Sequence, residues 1–182
     1  MRIISGRFGG RKLKSFKAPW IRPTSDVVKG SLFNSLQGEI QDAIVLDLFS
    51  GTGNLAFEAL SRGAKRVDVV ESHSGSLKVI RENAAHLEVN EELNIIKADV
   101  FDFLKNLGSI DYDVVLIDPP FTEKIADKVM QHLAKNAISN KNLVIAIESS
   151  KHEPIGEKYE SLVRSQHKHF GDKNLSFFRL EK

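Results

Sequence analysis

The chain contains no cysteine in its 182 residues. That removes disulfides, thiolate zinc sites, iron–sulfur clusters and any thiol nucleophile. No apolar run approaches the ~18 residues that span a bilayer, and the opening Met1-Arg2-Ile3-Ile4-Ser5-Gly6 lacks the hydrophobic core of a signal peptide. A cytoplasmic location without membrane attachment is the expectation. The six histidines form no H-E-x-x-H pattern. His167 and His169 alternate along one strand-like segment with no acidic or cysteine companion, so no metal is expected. No Gly-Lys-Ser/Thr follows the glycines near Gly53, which sets aside a triphosphate-binding loop.

The composition is that of an ordinary globular chain, 27% charged and 41% hydrophobic. A domain of this length buries roughly 70% of its unfolded surface and needs no covalent staple; a monomer is expected. The net charge of +2 hides an asymmetry. Residues 1–30 hold Arg2, Arg7, Arg11, Lys12, Lys14, Lys17, Arg22 and Lys29 against Asp26 alone. Subtracted from totals of 26 basic and 24 acidic residues, this leaves a basic head on a mildly acidic body. Such a head suits an anionic partner, most simply nucleic acid. Ile3, Ile4, Phe8, Leu13 and Phe16 interleave with the charges around Gly9-Gly10, which predicts a small basic β-hairpin rather than a solvated tail. Thr24 or Ser25 can then cap a helix whose Val28, Leu32, Phe33 and Leu36 face the body. The expected organisation is an extension over residues 1–40 and a second domain over 41–182.

From Ala43 onward strands and helices alternate. Strand-like runs cover 43–49, 66–71, 93–97, 112–117 and 143–147; helical patterns cover 54–62, 74–88, 100–107 and 123–135. This predicts an α/β fold with a doubly wound, mostly parallel sheet. The tail has two strand-like runs flanking Gly171-Asp172-Lys173, a C-terminal antiparallel hairpin at the sheet edge. Asn83, midway along a helix, reads as a polar surface position, and Lys168, Lys173 and Arg179 read as solvated charge.

Gly51-Thr52-Gly53-Asn54-Leu55-Ala56 fits G-x-G-x-x-A between a strand and a helix. Glu71 ends the next strand, where an acid can bind ribose hydroxyls. Asp47 places a carboxylate beside the loop, which disfavours a pyrophosphate and suits a cofactor with a cationic amino-acid part, as S-adenosyl-L-methionine has. Asp99, after the third strand, can accept from an adenine amine; capping a helix is the alternative for such an acid. A nicotinamide dehydrogenase is the competing reading, disfavoured by Asp47.

The fourth strand runs into Asp118-Pro119-Pro120-Phe121. Two prolines fix φ and remove two N–H donors, leaving rigid carbonyls outside any ladder. In a doubly wound sheet the first and fourth strands adjoin at the topological switch point, where ligands bind. A carboxylate, a fixed carbonyl and an aromatic ring together suit an exocyclic base amine. Asp118 and the Pro119 carbonyl accept its two hydrogens, its lone pair returns to nitrogen, and Phe121 stacks on the base. The absent cysteine agrees, because carbon-5 methylation through a thiol adduct is unavailable.

Leu46-Asp47-Leu48-Phe49-Ser50-Gly51-Thr52-Gly53 and Asp118-Pro119-Pro120-Phe121 resemble the motifs of Rossmann-like class I methyltransferases that act on amines. Met1 to Gly6 with Gly10-Arg11-Lys12-Leu13, then Arg22-Pro23-Thr24-Ser25-Asp26-Val27-Val28-Lys29, then Leu60-Ser61-Arg62-Gly63-Ala64, narrow the resemblance. It is to the RsmD-type bacterial enzymes that methylate a guanine N2 in 16S ribosomal RNA, and it covers essentially the whole chain. The resemblance implies S-adenosyl-L-methionine as cofactor and 16S rRNA, within an assembling small subunit, as partner. Its cofactor set here is Asp47, Phe49, Ser50, Gly51, Thr52, Gly53, Glu71, Ser72, Asp99 and Val100. Catalysis falls to Asp118, Pro119, Pro120 and Phe121, and RNA binding to Arg2, Arg7, Arg11, Lys12, Lys14, Arg22, Thr24 and Lys29. Phe121 stands where the family usually has tyrosine, so stacking survives and a hydroxyl contact does not; Ser50 replaces a frequent alanine, a change expected to be harmless. A DNA adenine-N6 or cytosine-N4 methyltransferase and a noncatalytic RNA-binding assembly factor remain open.

Overall fold

The computed structural model describes residues 1–15, 25–121 and 123–181. Helix α1 (Asp26–Ser35) leads into the alternation β1 (Ile44–Leu48), α2 (Asn54–Ser61), β2 (Arg66–Glu71), α3 (Ser74–Leu87), β3 (Leu93–Lys97), α4 (Val100–Asn106), β4 (Ser109–Ile110), β5 (Val114–Ile117), α5 (Ala126–Ala134), β6 (Ala137–Ile138) and β7 (Val144–Ser150). The tail adds β8 (Lys158–Tyr159), β9 (Leu162–Phe170) and β10 (Lys173–Leu180). Eight strands form one sheet in the order β3-β2-β1-β5-β7-β10-β9-β8, while β4 and β6 make a separate two-stranded pair.

Strands β3, β2, β1, β5 and β7 are mutually parallel, and β10 joins β7 antiparallel with β9 outside it. This is the expected doubly wound sheet with its C-terminal hairpin. The order reverses between β1 and β5, so the glycine loop after β1 and the Asp-Pro-Pro-Phe segment after β5 open into one crevice.

Side chains alternate across the sheet. Val45, Val67, Leu116, Ala146 and Leu175 join one core with α1, α2 and α3, whereas Leu46, Val70, Ile117, Ile147 and Phe178 join a second core with α4 and α5. The expected stripe on α1 holds: Val28, Leu32, Phe33 and Leu36 are buried. Ser25 caps the helix by accepting from the Val28 N–H at 3.3 Å.

The amino-terminal arm is antiparallel but is not a strand ladder. Its pairing is one bridge, Arg2 to Lys12, with Ile3 N–H donating to the Arg11 carbonyl at 3.0 Å and Leu13 N–H to that of Met1 at 3.1 Å. The segment between them turns twice, Gly9 N–H to Gly6 and Arg11 N–H to Phe8, both at 3.0 Å. Between residues 4 and 8 the backbone is satisfied by α2 instead of by a partner strand. Ile4 and Ser5 N–H donate to Glu58, and Arg7 and Phe8 N–H to the Ser61 carbonyl and hydroxyl. Gly6 makes this possible: with φ +84°, it approaches so closely that a Cβ would stand 1.8 Å from the Ser61 carbonyl oxygen. Ile3 and Leu13 enter the same core as α1 and the sheet.

Candidate active site

Three loops at the carboxyl edge of the sheet build the site. After β1 the chain turns through Phe49 and Gly51, at φ 59° and 56°, and Gly53 at φ 84° starts α2. A side chain on Gly53 would press within 2.5 Å of the Phe57 ring as well as strain the backbone. The turn is tied by Gly53 N–H to the Ser50 carbonyl at 2.8 Å and Ser50 N–H to the Val70 carbonyl at 3.2 Å.

Asp47 is 1% exposed, and its Oδ1 has no hydrogen-bond partner among the described residues. Its Oδ2 accepts from the Ser50 hydroxyl at 2.7 Å. Burial pushes its pKa up to about 7; the Ser50 hydroxyl and the Ala56 backbone N–H work against that, and the carboxylates of Asp118 and Glu71 push further upward. Ser50 is therefore engaged with this carboxylate, a contact that alanine would not make.

Glu71 braces the loop: it accepts Gly51 N–H at 2.8 Å and His73 N–H at 2.7 Å, one on each oxygen. Each carboxylate oxygen retains a second lone pair for a ribose hydroxyl. Asp99 is exposed and caps α4, its Oδ1 accepting from Phe101 and Asp102 N–H at 2.8 and 3.2 Å. The capping role left open by the sequence is thus occupied. Val100 points into the core and Ser72 is exposed. Thr52 is buried and donates to the Met1 sulfur at 3.4 Å, so the arm touches the glycine loop.

Asp118 follows Ile117, which pairs with Leu48 on one side and Ile147 on the other. Pro119 is buried, and the Pro120 carbonyl accepts Glu123 N–H at 3.1 Å. Asp118, Pro119, Pro120 and Phe121 share a small cleft with Glu148, Ser149, Ser150 and Glu153. By strand alternation Asp47, Glu71 and Asp118 all project from the face of the sheet that carries Val45, Val69 and Leu116.

The basic head is partly spent inside the molecule. Lys29 is fully buried, its Nζ donating to the Arg2 carbonyl at 2.7 Å and to Asn54 at 2.8 Å, and pairing with Glu58 at 3.1 Å. It cannot reach a phosphate, and its expected RNA role is corrected: the amphipathic pattern did not reveal that α1 turns this position onto α2. Arg2 pairs with Asp26, Arg7 with Glu92 and Lys14 with Glu82, all at exposed positions. Such pairs are worth little in water and can be exchanged for phosphate. Arg11 and Lys12 are exposed; Arg22 and Thr24 lie outside the described residues.

Two further polar positions were misread. Asn83 is completely buried and holds the arm. Lys173 is buried and donates to Glu148 at 2.6 Å. Glu58 and Glu148 carried no motif and were missed, and Asn54 was read only as a position of the glycine motif. Among the described residues no group of three or more His, Asp or Glu side chains can hold a metal, and no helix is long and apolar enough to cross a membrane.

The chain is similar to known proteins. The model of the family described as conserved hypothetical protein 95 matches residues 1–179. Ribosomal RNA small subunit methyltransferase D of Haemophilus influenzae is 37% identical over 157 residues, 85% of this chain and 81% of that protein. The protein of the same name from Escherichia coli K12 is 34% identical over 149 residues, 82% and 74% of the two chains. A solved Escherichia coli protein, proposed to be a methyltransferase, superposes with a TM-score of 0.87 at 29% identity, covering all of this chain and 98% of its own.

Proposed function

This chain belongs to the conserved hypothetical protein 95 family, and on that premise we propose that it transfers a methyl group from S-adenosylmethionine to the exocyclic N2 amine of a guanine in small-subunit ribosomal RNA. The observation that carries this reading is the placement of Asp118-Pro119-Pro120 beside the glycine loop and the buried Asp47, on adjoining parallel strands.

The residues fit the cofactor. Asp47 has an orphaned, deeply buried oxygen where a cofactor ammonium needs an acceptor. The left-handed turns at Gly51 and Gly53 keep side chains out of the cradle, and Glu71 stands ready for ribose hydroxyls. When bound, S-adenosylmethionine supplies a methyl group activated by a sulfonium. The chain's own residues do the rest. The Asp118 carboxylate and the Pro119 carbonyl accept the two amine hydrogens, which draws the nitrogen toward sp³ and aims its lone pair. Phe121 stacks on the base and fixes its plane. The new N–CH₃ bond forms as the S–CH₃ bond breaks, and the nitrogen then releases a proton to Asp118 or to water. No strong base is required. Orientation supplies most of the acceleration, for which effective molarities correspond to ~7–11 kcal/mol.

Arg11 and Lys12 on the arm meet the RNA backbone, joined by Arg2, Arg7 and Lys14 as their exposed ion pairs give way to phosphate. The arm with α1 acts as the RNA-facing extension, and residues 41–182 as the catalytic domain. The protein works as a monomer in the cytoplasm, on a small subunit under assembly.

Methyl incorporation into small subunits from a strain lacking the enzyme, followed by mass spectrometry of the RNA, tests the reading. A methylated guanine N2 is expected. Asp118→Ala should abolish turnover while leaving cofactor affinity nearly unchanged. No incorporation by a wild-type protein that binds the cofactor would overturn it.

A further inference from the structure

The strand beside the catalytic loop ends in a second carboxylate. Strands β5 and β7 are parallel with Ile117 opposite Ile147, so Asp118 and Glu148 leave adjacent strands side by side, about 4.8 Å apart across the sheet. Alternation puts both on the face of Leu116 and Ala146. Glu148 is 2% exposed, and its Oε2 accepts from the Lys173 ammonium at 2.6 Å. Glu148 lines the cleft of Asp118, Pro119, Pro120 and Phe121.

Stability does not call for this arrangement. Desolvating an ion pair offsets most of its attraction, and apolar residues of similar volume serve a core as well. The buried pair makes sense if the cleft is finished by a polar edge.

We propose that Glu148, held by Lys173, selects the target base, an inference that rests on the guanine-N2 reading above. The pairing edge of guanine presents N2–H₂, N1–H and O6 in a row. Asp118 and the Pro119 carbonyl take the amine, and Glu148 accepts N1–H. Adenine and cytosine each place a ring-nitrogen acceptor beside the amine. With their amine on Asp118, that lone pair faces the Glu148 carboxylate and is repelled. Glu148 thereby separates this site from an adenine-N6 or cytosine-N4 site built on the same tetrapeptide. Lys173 is a positioning residue that fixes the carboxylate.

The test uses small subunits from a strain lacking the enzyme and, once the methylated guanine is located, the same subunits with adenine at that position. Glu148→Gln should lower kcat/KM on guanine about tenfold to a hundredfold. Cofactor affinity by calorimetry should stay within about twofold of wild type. The guanine-to-adenine rate ratio should narrow, because the amide can donate to adenine N1. Glu148→Gln combined with Lys173→Met removes both charges and keeps the fold testable; it should show the same narrowed ratio at an unchanged melting temperature. Wild-type rate and preference in either variant would overturn the assignment, as would a parallel loss of cofactor binding. If the wild type methylates no guanine, the activity itself falls rather than this role within it.

Discussion

Asn83 holds both backbone polar groups of Lys14: its Oδ1 accepts the Lys14 N–H at 2.8 Å and its Nδ2 donates to the Lys14 carbonyl at 3.0 Å. A fully buried side chain of α3 thus fixes the point where the amino-terminal arm leaves the body. Asn83→Ala removes both bonds and leaves those groups to find water. We expect a loss of about 1–3 kcal/mol in urea denaturation. Faster proteolysis of residues 1–15 and weaker RNA binding should accompany it, with cofactor affinity unchanged.

Glu58 anchors the other end of the arm, accepting from Ile4, Ser5 and Arg62 and pairing with buried Lys29. Glu58→Ala strands an ammonium in the core, and removing one partner of a buried pair costs ~3–5 kcal/mol. Lys29→Met should cost less, because it removes the charge that needs a partner. A double-mutant cycle in denaturant measures the coupling, and additive effects would refute the buried network.

Salt dependence separates the basic residues of the head. Each phosphate contact contributes about −0.9 to the slope of log K against log salt on duplex nucleic acid. Arg11→Ala and Lys12→Ala should each flatten the slope by about 1 on structured ribosomal RNA. Lys29→Met should leave it unchanged, since that ammonium never meets solvent.

The protonation of Asp47 should be visible in both stability and binding. Its folded pKa of about 7 lies above the ordinary 3.8. Its contribution to stability is therefore full below about pH 4 and is lost as pH rises through about 7. Asp47→Asn should remove that loss, making the variant the more stable protein at pH 8 in thermal melts. Cofactor binding runs the other way, because the ammonium needs a carboxylate. Affinity measured by calorimetry should climb as pH approaches about 7 and decline above about 8, where an α-amino group loses its proton. Asp47→Asn should lose the acidic limb; a flat profile in the wild type would refute the contact.

Local chemistry written consecutively in the chain was legible without coordinates. Strand runs of Val, Ile and Leu, glycines at strand-to-helix turns and Asp118-Pro119-Pro120-Phe121 each carry their meaning within a few residues. Together with the alternation of elements they determine a doubly wound sheet and bring the two motifs to one crevice. The amino-terminal arm was half legible. Its apolar residues announced docking, but the ladder suggested by Gly9-Gly10 gave way to a single bridge because α2 supplied the hydrogen bonds.

What only the tertiary structure decided is the fate of polar side chains. Lys29, Asn83 and Lys173 look like surface residues in sequence because most such residues are solvated. Their burial depends on acceptors at Glu58, Lys14 and Glu148, which stand 29, 69 and 25 positions away. A pattern of 3.6 or 2 residues reports which face of an element is apolar, and it contains nothing about which distant group will close over one polar position. The sequence by itself determined the fold and marked Asp118-Pro119-Pro120-Phe121; packing alone decided which basic side chains stay exposed and which acid stands beside Asp118.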